Sequence, residues 1–219
     1  MSDLERRLTE IATVPILLVA TDYDGTISPI VDDPSKAVPD RAALVALRML
    51  ASLPQTHVAV ISGRGLADLA ALTGLPEDVH LVGSHGSEFD LDYATALPRE
   101  AQALRRRLAE DLRVIASSAP GLELEEKPAS VALHFRRASE ADGEAALRDA
   151  LAGPGALEGV FTKHGKKVVE FTVVATSKGE ALQTIRHRCG ASAAIFVGDD
   201  VTDEDAFAQL HGPDLGIKV

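Results

Sequence analysis

The 219-residue sequence predicts an α/β fold, a Rossmann-like parallel-sheet core with an α+β domain inserted into it. Short apolar runs alternate with segments of helical period, which is typical of a parallel sheet covered on both faces. In the middle of the chain, SVALHFRR alternates apolar and polar residues, as a half-exposed antiparallel strand does. We therefore predict a core of residues 1–86 and 176–219 and an inserted domain of residues 87–175.

Apolar runs that end in polar or glycine-containing residues predict the buried strands of the core. These runs are Ile16 to Ala20, Val58 to Ile61, Leu81-Val82 and Ala193 to Val197. Between them, PDRAALVALRML opens with a proline suited to a helix N-terminus, and GLADLAALTG ends in a glycine stop. The segment KGEALQTIRHRC predicts a helix before the last strand. This order of elements is the βαβ rhythm of a parallel sheet.

The inserted domain is predicted to combine helices with antiparallel strands. We expect helices near residues 98–116 and 139–152, and strands near residues 122–126, 131–137 and 168–173. The alternation in SVALHFRR predicts that Val131 points inward and Ala132 outward, and so on along the strand. Helices and antiparallel strands in this arrangement are typical of an α+β domain.

Composition and charge exclude several classes of partner. A net charge of −11 argues against nucleic acid, whose binders usually present a basic surface. The single cysteine, Cys189, allows no internal disulfide and fits a reducing compartment, so we expect a cytoplasmic location. Neither a signal peptide nor an apolar run long enough to span a bilayer is evident, so we expect no membrane partner. The sequence does not determine the oligomeric state, for which a monomer is favoured.

Polar residues follow every predicted core strand, at the edge where open parallel sheets bind ligands. DYDGT (residues 22–26) follows the first strand, SGR (62–64) the second, GSH (83–85) the third and GDD (198–200) the last. Acids that converge at one edge repel one another unless a hard cation lies among them. Oxygen ligands without sulfur or clustered imidazole favour magnesium over zinc. The sequence therefore predicts a magnesium site at this edge.

The same edge offers hydrogen-bond donors to a phosphate. They are the Ser62 hydroxyl, the Lys178 ammonium and the amides of glycine-containing loops. Acids, a metal, a lysine and anion donors together predict phosphoryl transfer. In such a reaction an aspartate can attack phosphorus and form an aspartyl-phosphate, while a second acid transfers protons.

The DYDGT segment alone admits three interpretations, namely a turn, a calcium loop or a reactive carboxylate with a helper. A calcium loop that starts at Asp22 requires glycine where the chain has Ile27. The groups downstream favour the reactive carboxylate over the turn. Because residues i and i+2 of an extended strand share one side, we expect Asp22 and Asp24 to face the same phosphorus. Gly25 would let the backbone approach it closely.

These motifs resemble those of a known superfamily. DYDGT is similar to the first motif, D-x-D-G-T, of the haloacid dehalogenase-like phosphatases, and Ser62, Lys178 and GDDVTDED occur in the order of its later motifs. GSHGSE, EEKPASVALHFR, GKKVVEF, SKGEAL and GDDVTDEDAF together resemble trehalose-6-phosphate phosphatases, over about Leu17 to Val219. The resemblance implies a magnesium-dependent phosphatase that hydrolyses trehalose 6-phosphate through an aspartyl-phosphate. It also implies that the inserted domain is a cap that closes over the sugar.

The resemblance further implies roles for individual residues. Asp22 would be the nucleophile, and Asp24 the acid and then the base. The implied phosphate-binding residues are Gly25, Thr26, Ser62 and Lys178. The implied magnesium ligands are Asp22, the Asp24 backbone carbonyl and Asp199, with Asp200 or Asp203 in support. The residues matching sugar-binding positions are Arg64, His85, Glu125, Lys127 and Glu170, with Glu126 as an alternative to Glu125.

Other interpretations stay open at this point. A phosphatase for sucrose-phosphate or a glycosyl-glycerate phosphate fits the same motifs, and a phosphotransferase or mutase would return the phosphoryl group to a sugar. A catalytically silent regulatory domain is disfavoured because the acids and the lysine are all present. Ser62 alternatively caps the helix that follows it. Glu125, Lys127 and Glu170 are alternatively surface charges on strands.

Overall fold

The computed structural model of the protein describes residues 2–31, 36–89 and 97–219. The chain divides into two compact units, Met1–Leu91 with Thr176–Val219, and Asp92–Ala175. The first unit is therefore discontinuous in sequence, and the second is inserted between its two parts. Among the described residues, no helix is both long and apolar enough to cross a membrane.

The helices and strands of the described residues alternate along most of the chain. In chain order they are α1 (Asp3–Ile11), β1 (Leu17–Thr21), α2 (Arg41–Ala51), β2 (Thr56–Ile61), α3 (Leu66–Thr73), β3 (Val79–Val82), α4 (Arg99–Ala116), β4 (Glu123–Glu126), β5 (Ser130–His134), α5 (Glu140–Ala152), β6 (Phe161–Gly165), β7 (Val168–Thr172), α6 (Lys178–Cys189), β8 (Ala193–Gly198), α7 (Glu204–Phe207) and β9 (Leu215–Lys218). Short 3-10 helices cover Ser84–Gly86, Pro154–Ala156 and Val201–Asp203.

The first unit contains a parallel sheet, which confirms the predicted class of the core. Its strands lie in the order β3-β2-β1-β8-β9, and every neighbouring pair is parallel. Apolar side chains cover both faces. Leu18 and Ile61 pack with Leu182 of α6 on one face, while Val60 packs with Leu69 of α3 on the other. Burial on both faces explains why these strands read as continuous apolar runs.

Strand β9 and helix α1 of the first unit were not predicted. Strand β9 extends the sheet beyond β8, with Leu215 opposite Ile195, but its short sequence LGIK carries little pattern. Helix α1 begins with a capping box, in which Ser2 and Glu5 satisfy each other's backbone amides.

The prediction for α2 was wrong by a residue or two at its start, because Asp40 and not Pro39 caps the helix. The glycine stop of α3 is present at Gly74, with a φ of 51°.

The second unit contains an antiparallel sheet backed by α4 and α5, which confirms the predicted α+β architecture. Its strands lie in the order β4-β5-β7-β6. Val131 and Phe171 pack against Leu108 of α4 and Ala146 of α5. Ala132 lies on the other face of the sheet from Val131, but the expected exposure of that face was wrong here, because only 1% of Ala132 is exposed. Strand β5 also ends at His134, before the predicted end at residue 137, and β6 was not predicted.

Candidate active site

Three aspartates come together where β1 and β8 end. The two strands are parallel neighbours, and the Asp22 amide continues their pairing by donating to the Val197 carbonyl at 2.8 Å. Asp199 follows β8 directly. One carboxylate oxygen from each of Asp22, Asp199 and Asp203 lies within 4.8 Å of the others. The carboxyl edge of the sheet therefore carries a compact cluster of oxygen ligands.

Lys178 is the cation of this cluster. It is the first residue of α6, whose N-terminus is fixed by a capping box between Ser177 and Glu180. The buried Nζ donates to Asp22 Oδ1 at 2.6 Å and to Asp203 Oδ1 at 2.7 Å. Burial by itself lowers the pKa of Lys178, but the two carboxylates outweigh it and raise the pKa above its ordinary value. The ammonium therefore stays charged at neutral pH.

One ammonium does not balance three carboxylates. Burial raises the pKa of Asp22 to about 7, with the Asp203 carboxylate adding to the rise and Lys178 opposing it. Burial and the neighbouring acids Asp203 and Asp200 also raise the pKa of Asp199. Burial is the larger cause of both shifts, and the repulsion between neighbouring carboxylates adds to it. A hard cation with oxygen ligands fits the donor set and its charge.

Asp203 and Asp200, which were alternatives for supporting the metal, occupy different environments. Asp203 is buried, and its Oδ2 accepts from the amides of Asp199 at 2.9 Å and Asp200 at 3.0 Å. Asp200 is exposed, and its carboxylate accepts from the amide of Val201 at the start of a 3-10 helix. Asp203 therefore belongs to the cluster and shapes the Asp199 loop, whereas Asp200 caps that loop on the outside.

Asp24 points to a different partner. The Arg64 guanidinium donates to both of its carboxylate oxygens, with Nε to Oδ2 at 2.7 Å and Nη2 to Oδ1 at 2.6 Å. The Asp24 side chain is 39% exposed, while that of Asp22 is buried. The premise that Asp22 and Asp24 continue an extended strand does not hold, because β1 ends at Thr21 and the chain then turns, with the Tyr23 carbonyl accepting from the amides of Thr26, Ile27 and Ser28. That both acids face one phosphorus stays a prediction. The two acids thus have distinct surroundings.

Gly25 and Thr26 lie against the acidic cluster. Gly25 has a φ of 90°, and a Cβ atom added there would lie 2.1 Å from Asp199 Oδ2. The Thr26 hydroxyl lies 3.5 Å from Asp22 Oδ2 and 3.4 Å from Asp199 Oδ1. The glycine was expected for backbone approach to a phosphate, but the structure gives it a further reason, which is room for Asp199.

Ser62 and His85 are neighbours at the ends of β2 and β3. Ser62 is buried, its hydroxyl accepts from the Arg64 amide at 3.2 Å, and its carbonyl accepts from the His85 amide at 2.9 Å. The helix-cap interpretation of Ser62 was wrong, since Gly65 holds the cap position of α3. The His85 ring lies over Gly63, where an added Cβ would be 2.6 Å from Cε1 and Nε2.

Sequence reasoning missed Glu88, although it quoted the GSHGSE segment that contains it. Its buried carboxylate accepts from the Leu66 amide at 3.0 Å and from the Ser84 hydroxyl. The loop that it holds has left-handed backbone at Ser84 (φ 48°), His85 (φ 54°) and Gly86 (φ 104°). Two consecutive non-glycine residues in this region are uncommon, and neither their conformation nor the burial of Glu88 can be read from the sequence alone.

In the second unit, the structure separates the two adjacent glutamates of β4. Glu126 pairs with Arg113 at 2.6 Å and with Arg105 at 3.3 Å, both from α4. Glu125 contacts His134 at 3.0 Å and lies opposite Ala132 in the sheet. Ala132 in turn lies opposite Glu170 of β7, so Glu125 and Glu170 share one face of the sheet.

Lys127 and Glu170 form an ion pair in the same unit. The Lys127 Nζ lies 3.2 Å from Glu170 Oε1, and both side chains are largely buried. The interpretation of these residues as exposed strand charges is therefore wrong for this pair. A buried charge pair is costly to keep for stability alone, because replacing it by apolar residues is often neutral or stabilising.

A Rossmann-like core with aspartates and a lysine at the carboxyl ends of its strands, and an α+β insertion, defines a chain of the haloacid dehalogenase-like class. Comparison with known proteins narrows this class. A model of the trehalose-phosphatase family matches residues 20–218. The chain belongs to the trehalose-phosphatase family.

Individual relatives agree with this assignment. The chain is 38% identical to the trehalose-phosphate phosphatase of Mycobacterium marinum, over 94% of this chain and 55% of that protein. It is 33% identical to the trehalose-6-phosphate phosphatase of Escherichia coli, over 87% of this chain and 72% of that protein. The chain therefore spans about half the length of the mycobacterial relative.

The fold is similar to that of a solved structure. The C-terminal domain of trehalose-6-phosphate phosphatase from C. albicans superposes with a TM-score of 0.74 at 25% identity. This match covers 95% of the present chain and 78% of the other. The similarity therefore extends over both units of the fold, each of which contributes predicted site residues.

Proposed function

We propose that the chain is a magnesium-dependent phosphatase that hydrolyses trehalose 6-phosphate to trehalose and inorganic phosphate. The observation that carries the proposal is the cluster of Asp22, Lys178, Asp199 and Asp203, in a chain whose family model covers residues 20–218. A carboxylate at the carboxyl edge of a parallel sheet, beside a lysine and further acids, is suited to nucleophilic attack on phosphorus.

In the proposed reaction, an Asp22 carboxylate oxygen attacks phosphorus, and the bond between phosphorus and the sugar oxygen breaks. Asp24 gives its proton to the departing oxygen, which leaves as the trehalose hydroxyl. Asp24 then takes a proton from water, whose oxygen attacks the aspartyl-phosphate and displaces the Asp22 carboxylate as phosphate forms. The proton taken from water replaces the one that Asp24 gave to the sugar oxygen, so both acids end as they began.

The proposed metal ligands are Asp22, Asp199 and the backbone carbonyl of Asp24, with Asp203 supporting the loop. Bound magnesium supplies positive charge that offsets the repulsion between a carboxylate and a phosphate dianion. Asp200, which caps the outside of the loop, has the weaker geometric case for metal support.

The proposed phosphate donors are Ser62, Lys178, Thr26 and the amides at Gly25 and Thr26. The contact between Lys178 and Asp22 supports a role for Lys178 beside the transferred group. Glu125, Lys127 and Glu170 are proposed to bind the glucose hydroxyls, since carboxylates and an ammonium match hydroxyl donors and acceptors. For His85 and Arg64 sugar binding stays a prediction, and the bidentate pairing of Arg64 with Asp24 favours a role in holding that acid.

The experiment is phosphate release from a panel of sugar phosphates, with and without magnesium. We expect release that requires magnesium and has its highest kcat/KM with trehalose 6-phosphate. Asp22→Asn removes the nucleophile and is expected to lower kcat by on the order of a thousandfold or more. Asp78→Asn, at an exposed aspartate outside the cluster, is the matched control and should keep full activity.

Several outcomes contradict parts of the proposal. Full activity of Asp22→Asn would refute the covalent mechanism. A higher kcat/KM for sucrose-phosphate or a glycosyl-glycerate phosphate would refute the substrate. Isomerised sugar phosphate in place of free phosphate would indicate a mutase, and absence of turnover on the whole panel would indicate a regulatory domain.

A further inference from the structure

Ser130 joins two of the proposed sugar-binding residues in the second unit. It opens β5 and is buried, with 1% of the residue exposed. Its hydroxyl donates to Glu170 Oε1 at 2.5 Å, and its carbonyl accepts from the Lys127 amide at 2.9 Å. One small residue therefore contacts both members of the buried Lys127–Glu170 pair.

The Ser130 hydroxyl lies closer to the Glu170 carboxylate than the Lys127 ammonium does. A short hydroxyl-to-carboxylate bond of this length belongs to the strong, charge-assisted class. The Lys127 ammonium lies farther away, at 3.2 Å, and is a compact point charge on a flexible stem. A glutamate that loses its hydroxyl donor keeps its charge partner but gains rotamer freedom.

The direction of Glu170 matters because of its place in the sheet. Glu170 of β7 and Glu125 of β4 lie opposite Ala132 from its two sides, on one face. Neighbouring strands are about 4.8 Å apart, so the two backbones are separated by roughly 10 Å, a span comparable to a sugar ring with its hydroxyls. Two carboxylates at such a spacing discriminate among sugars only when each is held in one orientation.

We propose that Ser130 is a positioning residue that orients Glu170 toward the sugar. Through Glu170 it would set the preference of the protein for trehalose 6-phosphate over phosphate monoesters without a sugar. This inference rests on the proposed function, because it assumes that Glu170 binds the sugar. Ser130 itself contacts protein groups, and its effect on the substrate passes through Glu170.

The test compares two substrates in three variants of the full chain. Ser130→Ala removes the donor, and Ser130→Cys keeps the shape but offers only a weak donor. Thr172→Val is the matched control, since Thr172 faces Ser130 across the β5–β7 pair and its buried hydroxyl bonds backbone groups of Ala129 and Val174. KM and kcat are measured for trehalose 6-phosphate and for p-nitrophenyl phosphate, with circular dichroism to check folding.

We expect both Ser130 variants to raise KM for trehalose 6-phosphate roughly tenfold, the size of effect a hydrogen bond to a charged group has. Their kcat, and both constants for p-nitrophenyl phosphate, should stay close to those of the unmodified chain. Thr172→Val should change neither KM nor kcat for either substrate. If Ser130→Ala does not fold, Ser130→Cys gives the same comparison.

The outcomes separate this inference from the proposed function. If the unmodified chain prefers trehalose 6-phosphate and folded Ser130 variants keep its KM, the inference is overturned while the proposed function stands. Equal losses on both substrates, or an equal loss in Thr172→Val, would indicate a structural role only and also overturn it. If the unmodified chain has no preference for trehalose 6-phosphate, the proposed function fails and the inference fails with it.

Discussion

Gly25 is the residue at which backbone conformation and the acidic cluster depend on each other most directly. Its φ of 90° disfavours any side chain, and an added Cβ would overlap Asp199 Oδ2 at 2.1 Å. We expect Gly25→Ala to displace Asp199 and lower kcat/KM by on the order of 100-fold, the loss that an ångström of misplacement can cause. Phosphate release at saturating magnesium measures it.

Gly74 provides the control for this substitution. It also has a positive φ, 51°, but an added Cβ would meet no atom within 4 Å. Gly74→Ala should therefore cost only the left-handed strain, about 1 kcal/mol of unfolding free energy, and leave activity intact. Equal activity in Gly25→Ala and Gly74→Ala would contradict the role of Gly25 in making room for Asp199.

At this scale the sequence predicted residue types better than it predicted their partners. The acids and Ser62 were expected at the ends of their strands, and Lys178 at the start of a helix beside them, because parallel strands end at one edge. The pairing of Arg64 with Asp24 was not expected, since the two residues lie on different loops and only the fold brings their side chains together. The difference in burial between Asp22 and Asp24 was not expected either, since it depends on how the fold surrounds each side chain.

The loop from Gly83 to Glu88 has a strained backbone conformation. Three successive residues are left-handed, and the loop closes through paired backbone bonds between Gly83 and Glu88. Left-handed backbone costs about 1–2 kcal/mol for each non-glycine residue. The buried Glu88 carboxylate offsets this cost by accepting from Leu66 at the start of α3 and from Ser84.

Removing that carboxylate should destabilise the first unit. Glu88→Ala leaves the Leu66 amide and the Ser84 hydroxyl without their acceptor, at about 1–3 kcal/mol for each buried group. Glu88→Gln keeps one acceptor oxygen and should cost less. Glu77→Ala, at an exposed position before β3, is the control and should change the unfolding free energy by less than about 0.5 kcal/mol. Urea unfolding measures all three, and equal stability of Glu88→Ala and Glu77→Ala would contradict the assignment.

Elements with strong patterns were predicted, and those without were not. The core strands were recognised because burial on both faces makes them continuously apolar. Strand β9 is four residues long, and β6 (FTKHG) is mostly polar and partly exposed, so neither carries a period that sequence alone reveals. The sheet register supplies what the sequence lacks, since β6 is defined by its pairing with β7.

At the scale of the molecule, the apolar clusters of the two units share no residue, and in the first unit the buried Asp214 connects several elements. Asp214 accepts from Arg186 of α6 at 2.6 Å, from the amide of Ala194 in β8 at 2.9 Å and from the amide of His211 at 2.9 Å. Its carbonyl accepts from Arg7 of α1 at 3.0 Å. Nothing in the local sequence HGPDLG indicates this role, because every partner except His211 is distant along the chain. The division into a core of residues 1–86 and 176–219 and an inserted domain of residues 87–175 stays a prediction from the sequence.

Asp214 should make the stability of the first unit depend on pH in the acidic range. Burial works to raise the pKa of Asp214, but the hydrogen bonds from His211, Arg186 and Ala194 outweigh it and lower the pKa below the ordinary value. A carboxyl whose pKa is lower in the folded than in the unfolded state stabilises fully above its unfolded pKa, near 3.9. This stabilisation is lost as the pH falls from there through the folded pKa.

Asp214→Asn isolates this contribution. At pH 7 the free energy of unfolding of the variant should be about 3 kcal/mol lower, because the substitution leaves the partly buried Arg186 without its charge partner. Below about pH 4 the unmodified chain should lose stability faster than the variant, by up to about 1.4 kcal/mol per pH unit for one proton. The two curves should therefore converge as the pH falls. Urea unfolding at pH values from 7 to 3, monitored by circular dichroism, measures both curves. Asp78→Asn, at an exposed aspartate, should run parallel to the unmodified chain, and a parallel curve for Asp214→Asn would refute the assignment.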